Sequence, residues 1–216
     1  DALNNYNKQL HSDQKSLGQH IPLDTMRQIS GIPRAFPDSD KNKAKDVIEN
    51  WIYPSEQMFF NAMKRKDWNP REEDMRVIVP IHNAVNEKAW KEILEWEKLH
   101  ENHCGGPKLV KFQGKAKNIT PKARLFNLLG YKLPFDRHDW VVDRCGKQVT
   151  YVIDFYSGQP DPKLPHSVSF YLDVRPAFTL DGAIDRFRRW MSLFMERNNQ
   201  SGEKCTYKSG FTHNSV

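Results

Sequence analysis

Hydrophobic positions are irregular over the first 50 residues and then begin to recur with the period of a helix. The segment 21–43 carries proline and glycine too often for a long helix, so we expect an extended arm over the domain, or partial disorder. From residue 55 the spacing changes, and Ser55 is a suitable N-cap for the apolar positions Met58, Phe59, Ala62 and Met63. This pattern predicts a helix over about 55–66.

A second amphipathic pattern predicts a longer helix that begins at Pro80 or Asn83 and ends near His100. Proline suits the first turn of a helix, and Asn83 or Asn86 is a suitable cap. The sequence HCGGP at 103–107 is expected to end this helix. Its predicted buried face carries Ala89, Trp90, Ile93, Leu94 and Glu97.

The second half of the chain predicts β-strands between two further helices. A threonine cap at Thr120 and a glycine stop at Gly130 delimit a short helix. Residues 140–158 predict a hairpin that turns near Cys145-Gly146-Lys147, and 167–176 predict a third antiparallel strand. A last amphipathic helix is predicted over 181–198.

These elements define an α+β fold, a single domain with helices packed on a small antiparallel β-meander and an irregular N-terminal arm. We expect a flexible N-terminal segment at 1–28, the domain at 29–198 and a C-terminal tail at 199–216. The last helix is expected to pack its apolar face on the sheet and to leave its arginines in water. The alternative is that this basic helix serves a peripheral membrane protein. The apolar face consists of Ile184, Phe187, Trp190 or Met191, and Phe194.

The charge balance narrows the classes of partner. The 216 residues include 33 Lys and Arg against 27 Asp and Glu, which gives a net charge of +6 and a pI of about 9.1. A basic chain suits an anionic partner such as nucleic acid, a membrane surface or an acidic ligand. No apolar run approaches the roughly 20 residues that span a bilayer, and no signal peptide is visible. The sequence contains no Walker, G-x-S-x-G or G-x-G-x-x-G motif, so it gives no support to ATP-driven or serine-hydrolase chemistry.

His82 is the first candidate for chemistry, and its surroundings leave three interpretations open: a buried core histidine, a catalytic base or a metal ligand. Asn86 and Glu87 lie one turn further along the predicted helix. Glu87 could hold the second ring nitrogen of a ligating imidazole, directly or through water. Flat apolar walls for a ligand could come from Trp51, Phe59, Phe60, Trp90 and Trp96.

Three other polar clusters have simpler explanations. His100, His103 and Cys104 resemble half of a zinc site, but the distant Cys145 and His138 lack paired spacing, which favours a solvated helix end. The basic segment 108–124 lacks any nucleic-acid-binding signature, although Phe112 lies among its lysines. The cysteines Cys104, Cys145 and Cys205 are too few for a disulfide framework, so we expect a reducing compartment or incidental thiols.

The sequence LPFDRHDW at 133–140 places four ionisable residues between Phe135 and Trp140. The aromatic neighbours indicate partial burial, and buried charges need partners. Asp136 and Asp139 could therefore orient His138 or hold Arg137. A structural and a functional role remain equally open for this cluster.

Several separate segments, taken together, resemble the cytochrome c-type heme lyases, also called holocytochrome c synthases. In chain order they are WIYPSEQMFFNAM, IHNAVNEKAWKEILEWE, GKAKNITPKAR, LPFDRHDWVVDRCGKQVTYVIDFYSG and LDVRPA. The resemblance runs from ISGIPR at 29–34 to the helix that ends near 198. DMRVIVPIHN, CGGPKL and DRCGKQVTYVIDFYS are more similar to the fungal cytochrome c1 lyase branch than to the cytochrome c branch.

The resemblance implies a function, a location and partners. Such enzymes join heme b to apocytochrome c or c1 in the mitochondrial intermembrane space, at the surface of the inner membrane. They form thioethers between the heme vinyl groups and the cysteines of a Cys-x-x-Cys-His motif. Many members carry Cys-Pro motifs near the N-terminus, whereas this chain has no cysteine before Cys104.

The resemblance also implies residue roles. His82 matches the axial ligand of the heme iron, Trp51, Tyr53 and Glu87 match heme-site positions, and His138 and Arg144 match a second important motif. We therefore predict a catalytic set and a heme-binding set, in which His82 is the metal ligand. The catalytic set is His82, Glu87, His138 and Arg144, and the heme-binding set is Trp51, Tyr53, His82, Asn86 and Trp90.

A heme lyase working in this way would act mainly by positioning. His82 would hold one axial site of ferrous heme, and the histidine of the substrate motif would take the other, which aligns both thiols with the vinyl groups. A non-catalytic heme carrier or sensor would share the histidine but give no covalent product. A basic nucleic-acid scaffold would bind no heme.

Overall fold

The computed structural model describes residues 13–36, 49–101, 103–115, 118–158 and 169–206, and the side chains of these residues up to 195. It confirms the α+β class, with helices packed on antiparallel sheets. A two-stranded sheet pairs β1 (Ile29–Pro33) with β2 (Asn50–Ile52). A four-stranded meander has the order β3-β4-β5-β6. Its strands are β3 (Lys108–Gly114), β4 (Asp136–Arg144), β5 (Lys147–Ser157) and β6 (Phe170–Pro176).

The helices are α1 (Glu56–Lys64), α2 (Met75–Glu97), α3 (Pro121–Leu128) and α4 (Leu180–Thr206). The caps predicted for α1 and α3 are confirmed, because Ser55 accepts from the Met58 amide at 3.2 Å and Thr120 from the Ala123 amide at 3.2 Å. In each case the side-chain oxygen satisfies an amide that the first turn leaves unpaired.

The start predicted for α2 is wrong. The helix begins at Met75, so Pro80 lies inside it and Asn83 and Asn86 cap nothing. Proline removes one intrahelical hydrogen bond and crowds the preceding turn. Tertiary packing outweighs this cost here, because Met75 is fully buried against Leu23 and Phe60.

In the four-stranded sheet, the sequence pattern failed to predict strand β3 but correctly predicted the hairpin of β4 and β5. β3 was predicted only as a basic segment, and its exposed lysines conceal a strand at the edge of the sheet. The predicted turn at Cys145-Gly146 is confirmed, because these residues have φ angles of 50° and 90°, as a tight two-residue hairpin requires. The β4 strand begins four residues earlier than predicted, which places His138 on the sheet.

The core lies between α2 and one face of the meander. Alternate residues of β4 and β5 point to this face, including Trp140, Val142, Tyr151 and Ile153. They pack against the buried face of α2, where Ala89, Trp90 and Ile93 are at most 4% exposed, which confirms that predicted face. The helix is thereby fixed along the sheet, with His82 in its N-terminal half and Glu97 at its end.

The N-terminal arm packs on α1 as far as the structure describes it, from residue 13. Gln19 and Gln57 exchange side-chain hydrogen bonds at 2.9 and 2.7 Å, and Leu23 is buried against Phe60. Residues 1–12 of the predicted flexible segment lie outside the described residues. At the other end, α4 continues to Thr206, so the tail predicted from 199 is partly helical. In the described part of the chain, no helix is long and apolar enough to cross a membrane.

Candidate functional site

His82 lies where α1, α2 and the start of β4 converge. Its ring makes an edge contact with Phe59 of α1, with the centroids 5.0 Å apart. The Asn86 amide nitrogen lies 3.3 Å from Nδ1 and 3.4 Å from Nε2 of the same ring. His82 is partly buried rather than enclosed, so a ligand can approach it. This arrangement disfavours the interpretation of His82 as a fully packed core residue.

The electrostatics keep His82 uncharged. Burial is the main cause that lowers the pKa of His82, the side chain of Asn83 opposes the shift, and the nearby His138 lowers the pKa further. A neutral imidazole retains a lone pair and is the form that ligates a metal. The described residues contain no cluster of three or more His, Cys, Asp or Glu side chains that could hold a metal ion, so neither the zinc half-site nor any similar group is assembled there.

His138 is the second imidazole of this region. Its ring makes a T-shaped edge contact with Phe155, with the ring centroids 5.1 Å apart, and its Nε2 lies 3.1 Å from Asp136 Oδ2. Gly114 is its partner on β3, and a side chain at that position would begin 3.6 Å from Nε2. Burial lowers the pKa of His138 and outweighs the opposite effect of Asp136. His138 is therefore an oriented neutral imidazole.

The two aspartates beside His138 have different partners: one orients His138 and the other holds Arg137, the two roles proposed from the sequence. Asp136 pairs with His138, whereas Asp139 accepts from Arg137 Nε at 3.0 Å and from Lys115 at 2.6 Å. The prediction that these charges are partly buried and paired is confirmed. Asp139 lies on the opposite face of the strand from His138. The ion pair of Arg137 with Asp139 therefore stabilises the face of the sheet that points away from α2.

Glu87 does not have the partner that the sequence suggests. Its Oε1 accepts from the Tyr53 hydroxyl at 2.9 Å and from the Gly31 amide at 2.8 Å. The side-chain neighbour of His82 at hydrogen-bond distance is Asn86 instead. Burial raises the pKa of Tyr53, and the carboxylate of Glu87 raises it further, so the hydroxyl stays protonated and donates. Tyr53 and Glu87 join β1, the segment after β2 and α2 into one unit.

The predicted tryptophans occupy two environments. Trp51 donates from Nε1 to the Leu109 carbonyl at 3.1 Å and makes an edge contact with Phe112 at 5.3 Å. The guanidinium of Arg34 lies 5.1 Å from the Trp51 ring. Trp90 is only 4% exposed and belongs to the core between α2 and the sheet. Its burial disagrees with the prediction that it lines a heme site.

Arg144 is placed in a different part of the molecule from His82. Its Nε and Nη2 atoms donate to Glu97 at 2.8 and 2.9 Å, and Nη2 lies 3.4 Å from Asp185 of α4. Glu97 follows His82 by 15 residues on one helix, a rise of about 22 Å. The structure thus separates Arg144 from the other predicted catalytic residues.

A disulfide lies beside this ion cluster. Cys104 and Cys145 are joined, with their Cα atoms 5.5 Å apart, so the expectation of free or incidental thiols is wrong for this pair. The bond links the connection after α2 to the turn between β4 and β5. A cavity of about 300 Å³ lies next to it and is lined in part by Glu97, His100, Arg144 and Cys145.

Sequence comparisons identify the family of the chain. A family model described as cytochrome c/c1 heme lyase matches residues 1–190. A Schizosaccharomyces pombe protein provisionally named holocytochrome-c1 synthase is 55% identical over 82% of this chain and 80% of its own length. The chain therefore belongs to the cytochrome c/c1 heme lyase family, and the resemblance to a lyase family is confirmed.

More distant members extend the comparison. The holocytochrome c-type synthase of Gallus gallus is 50% identical over 81% of this chain, which spans 63% of that protein. The holocytochrome-c synthase of Saccharomyces cerevisiae is 40% identical over 87% of this chain and 75% of its own length. No solved structure matches the chain.

Proposed function

We propose that this protein attaches heme b covalently to the Cys-x-x-Cys-His motif of apocytochrome c1, apocytochrome c or both. The observation that carries the proposal is His82, a partly exposed and uncharged imidazole with Phe59 and Asn86 at its ring. Family membership supplies the heme and the apocytochrome as substrates. Apocytochrome c1 is included because the Schizosaccharomyces pombe relative, the most similar of those described above, is named for that substrate.

In this scheme His82 holds one axial position of the heme iron, with Asn86 and Phe59 fixing the ring. The histidine of the substrate motif takes the opposite axial position, which brings the two cysteines of that motif close to the vinyl groups. Holding the reacting groups in this way replaces a bimolecular encounter and is the main source of rate. Product leaves because His82 is a weaker ligand than the one that the folded cytochrome supplies.

The covalent step adds a thiol across a vinyl double bond. A carbon–sulfur bond forms, the carbon–carbon double bond becomes single, and the thiol proton ends on the terminal carbon, so no nucleotide or oxidant is consumed. A thiolate attacks more readily than a thiol. A neutral imidazole can form the thiolate by accepting the proton of the substrate thiol. We assign this proton-accepting role to His138, which Asp136 holds in one orientation. Arg144 and Trp90 support the fold.

The proposal includes the compartment. Oxidised Cys104–Cys145 suits a space in which disulfides form, and cytochrome c-type lyases are expected in the mitochondrial intermembrane space. There the protein would lie peripherally on the inner membrane.

Coexpression with a reporter substrate tests the activity. The protein is produced with apocytochrome c and, separately, with the soluble domain of apocytochrome c1, and denaturing gels are stained for covalent heme. We expect stain on a cytochrome band with the wild type and none with His82→Ala. The matched control is His103→Ala, whose side chain is 77% exposed in a loop. Heme bound to this protein without stain on either cytochrome would instead identify a non-catalytic carrier.

A further inference from the structure

The last helix, α4, turns its charged face toward the domain, the reverse of the orientation predicted from its pattern. Asp185 is 4% exposed and lies 3.1 Å from His100 and 3.4 Å from Arg144. Arg186 donates from Nε to the Pro176 carbonyl at 3.2 Å, and the Arg189 guanidinium lies 4.4 Å from the Trp96 ring. These contacts, made by residues of adjacent turns, fix which side of the helix faces outward.

The opposite side of α4 is apolar and unprotected by the described residues. Its rings form a continuous row, with centroids 5.9 Å apart for Phe187 and Trp190 and 5.8 Å apart for Trp190 and Phe194. Scattered apolar residues are ordinary on a protein surface, but a contiguous row indicates an interaction site. We define the outer face of α4 as the apolar residues of this side, each at least 50% exposed: Ile184, Phe187, Trp190, Phe194 and Met195.

We propose that the outer face of α4 lies on an anionic phospholipid bilayer, in the plane of the interface. This inference rests on the peripheral membrane attachment in the proposed function and names the surface responsible for it. Interfacial helices combine a Trp- and Phe-rich apolar side with arginines on the polar side, and they bury the apolar side by about 5–10 Å. The outer face has this composition, and Phe178 and Leu180 extend it, at 85% and 88% exposed.

The charges around the outer face favour an anionic surface. Arg188 is exposed at its edge. Two acidic residues of the first turns of the helix are paired, Asp181 with Lys147 at 2.7 Å and Asp185 within the ion cluster. An arginine near an anionic membrane contributes to attachment, whereas an unpaired carboxylate would oppose it.

The position of α4 also favours lipid over the polypeptide substrate. The helix contacts His100 and Arg144, at the end of α2 that lies about 22 Å from His82. Attachment through the outer face therefore leaves the His82 region open to a soluble substrate.

Sedimentation with vesicles tests the surface. The probes are vesicles of phosphatidylcholine alone and of phosphatidylcholine with one third phosphatidylglycerol. We expect the wild type to bind the anionic vesicles and salt to weaken binding. The triple variant Phe187→Gln, Trp190→Gln, Phe194→Gln should bind at least tenfold less tightly. Arg188→Gln should lose about fivefold, on anionic vesicles only.

A matched control separates this surface from apolar exposure in general. Leu128 of α3 is 84% exposed, so Leu128→Gln removes a comparable side chain elsewhere and should bind vesicles like the wild type. Circular dichroism establishes that every variant is folded. Wild-type binding by the triple variant, or equal loss in Leu128→Gln, overturns the proposal. If the wild type is a dimer and the triple variant is a monomer, a second copy of the chain covers the outer face. This result also overturns the proposal.

The same proteins are assayed for heme attachment in solution, without vesicles. We expect the triple variant to attach heme like the wild type. If the wild type binds vesicles but attaches no heme, the proposed function is wrong and the membrane role of the outer face of α4 is supported. If the wild type attaches heme but binds neither kind of vesicle, only the membrane role of the outer face is wrong.

Discussion

Glu97 and Arg144 form a two-point ion pair, at 2.8 and 2.9 Å, that joins the end of α2 to β4. Tyr151 donates to the same carboxylate, and Asp185 brings α4 to the same guanidinium. Both partners are nearly buried, with side chains 6% and 13% exposed. The pair therefore connects four elements of the domain, α2, β4, β5 and α4, at a point remote from His82.

Removing the guanidinium should destabilise the protein without abolishing heme chemistry. Arg144→Gln leaves Glu97 buried without its full partner, a change that costs about 3 kcal/mol. In a chain of this size we expect the melting temperature to fall by about 6–12 °C. Thermal unfolding checks this, with Arg71→Gln as the exposed control, because the Arg71–Glu73 pair is largely solvated. Normal stability combined with lost heme attachment would show that Arg144 acts chemically.

The carboxylate of Glu87 should matter for stability more than for iron ligation. Glu87→Ala deprives the Tyr53 hydroxyl and the Gly31 amide of their acceptor, which we expect to cost about 2 kcal/mol. Glu87→Gln retains an acceptor oxygen and should cost less. Urea titration measures both, and the visible spectrum of bound heme should be unchanged in Glu87→Gln. A shifted spectrum at wild-type stability would contradict this assignment and place Glu87 at the iron.

The buried imidazole of His138 should make the heme-free protein less stable in acid. Its pKa is lowered in the folded state, mainly by burial, so the unfolded chain binds more protons below its own pKa of about 6.5. Stability is therefore full above about pH 6.5 and is lost as the pH falls toward the folded pKa. Urea titrations between pH 7.5 and 5 should show a shallower decline for His138→Gln than for the wild type. Identical slopes would contradict this account.

Reduction of the Cys104–Cys145 bond should lower stability. The bond closes a loop with a sequence separation of 41, which corresponds to about 4 kcal/mol in the chain-entropy description. We expect a reductant to lower the melting temperature of the wild type and of Cys205→Ser but not of the double variant Cys104→Ser, Cys145→Ser. If the wild type melts at one temperature with and without reductant, the bond is not a stabilising element.

Local signals explain what the sequence could predict of the fold. Ser55 and Thr120 cap helices because hydroxyl groups satisfy nearby amides, and Cys145-Gly146 turn a hairpin because both adopt positive φ. The start of α2 was missed because it depends on packing of Met75 against distant residues, which outweighs the signal of Pro80. The Cys104–Cys145 bond was missed for the same reason, since the two positions become neighbours only in the folded sheet.

The candidate site shows the same division. The motif around His82 and the pairing of the charges at 136–139 were accessible from the sequence, but not which aspartate holds His138. The partners of Glu87 and the placement of Arg144 were not, because a carboxylate at helical spacing can turn to either neighbouring element. For α4, periodicity predicted the amphipathic helix, but the orientation expected from it, with the apolar face on the sheet, is wrong. The orientation depends on contacts of Asp185 and Arg189 with residues far away in the chain.

The most direct test of the central claim is chemical rescue at His82. His82→Gly is assayed for heme attachment to the apocytochrome c1 soluble domain, with and without millimolar imidazole. The account predicts that the variant loses both the bound-heme spectrum and the covalent product, and that imidazole restores the spectrum and part of the product. Wild-type attachment by His82→Gly without imidazole would contradict the claim that His82 holds the iron.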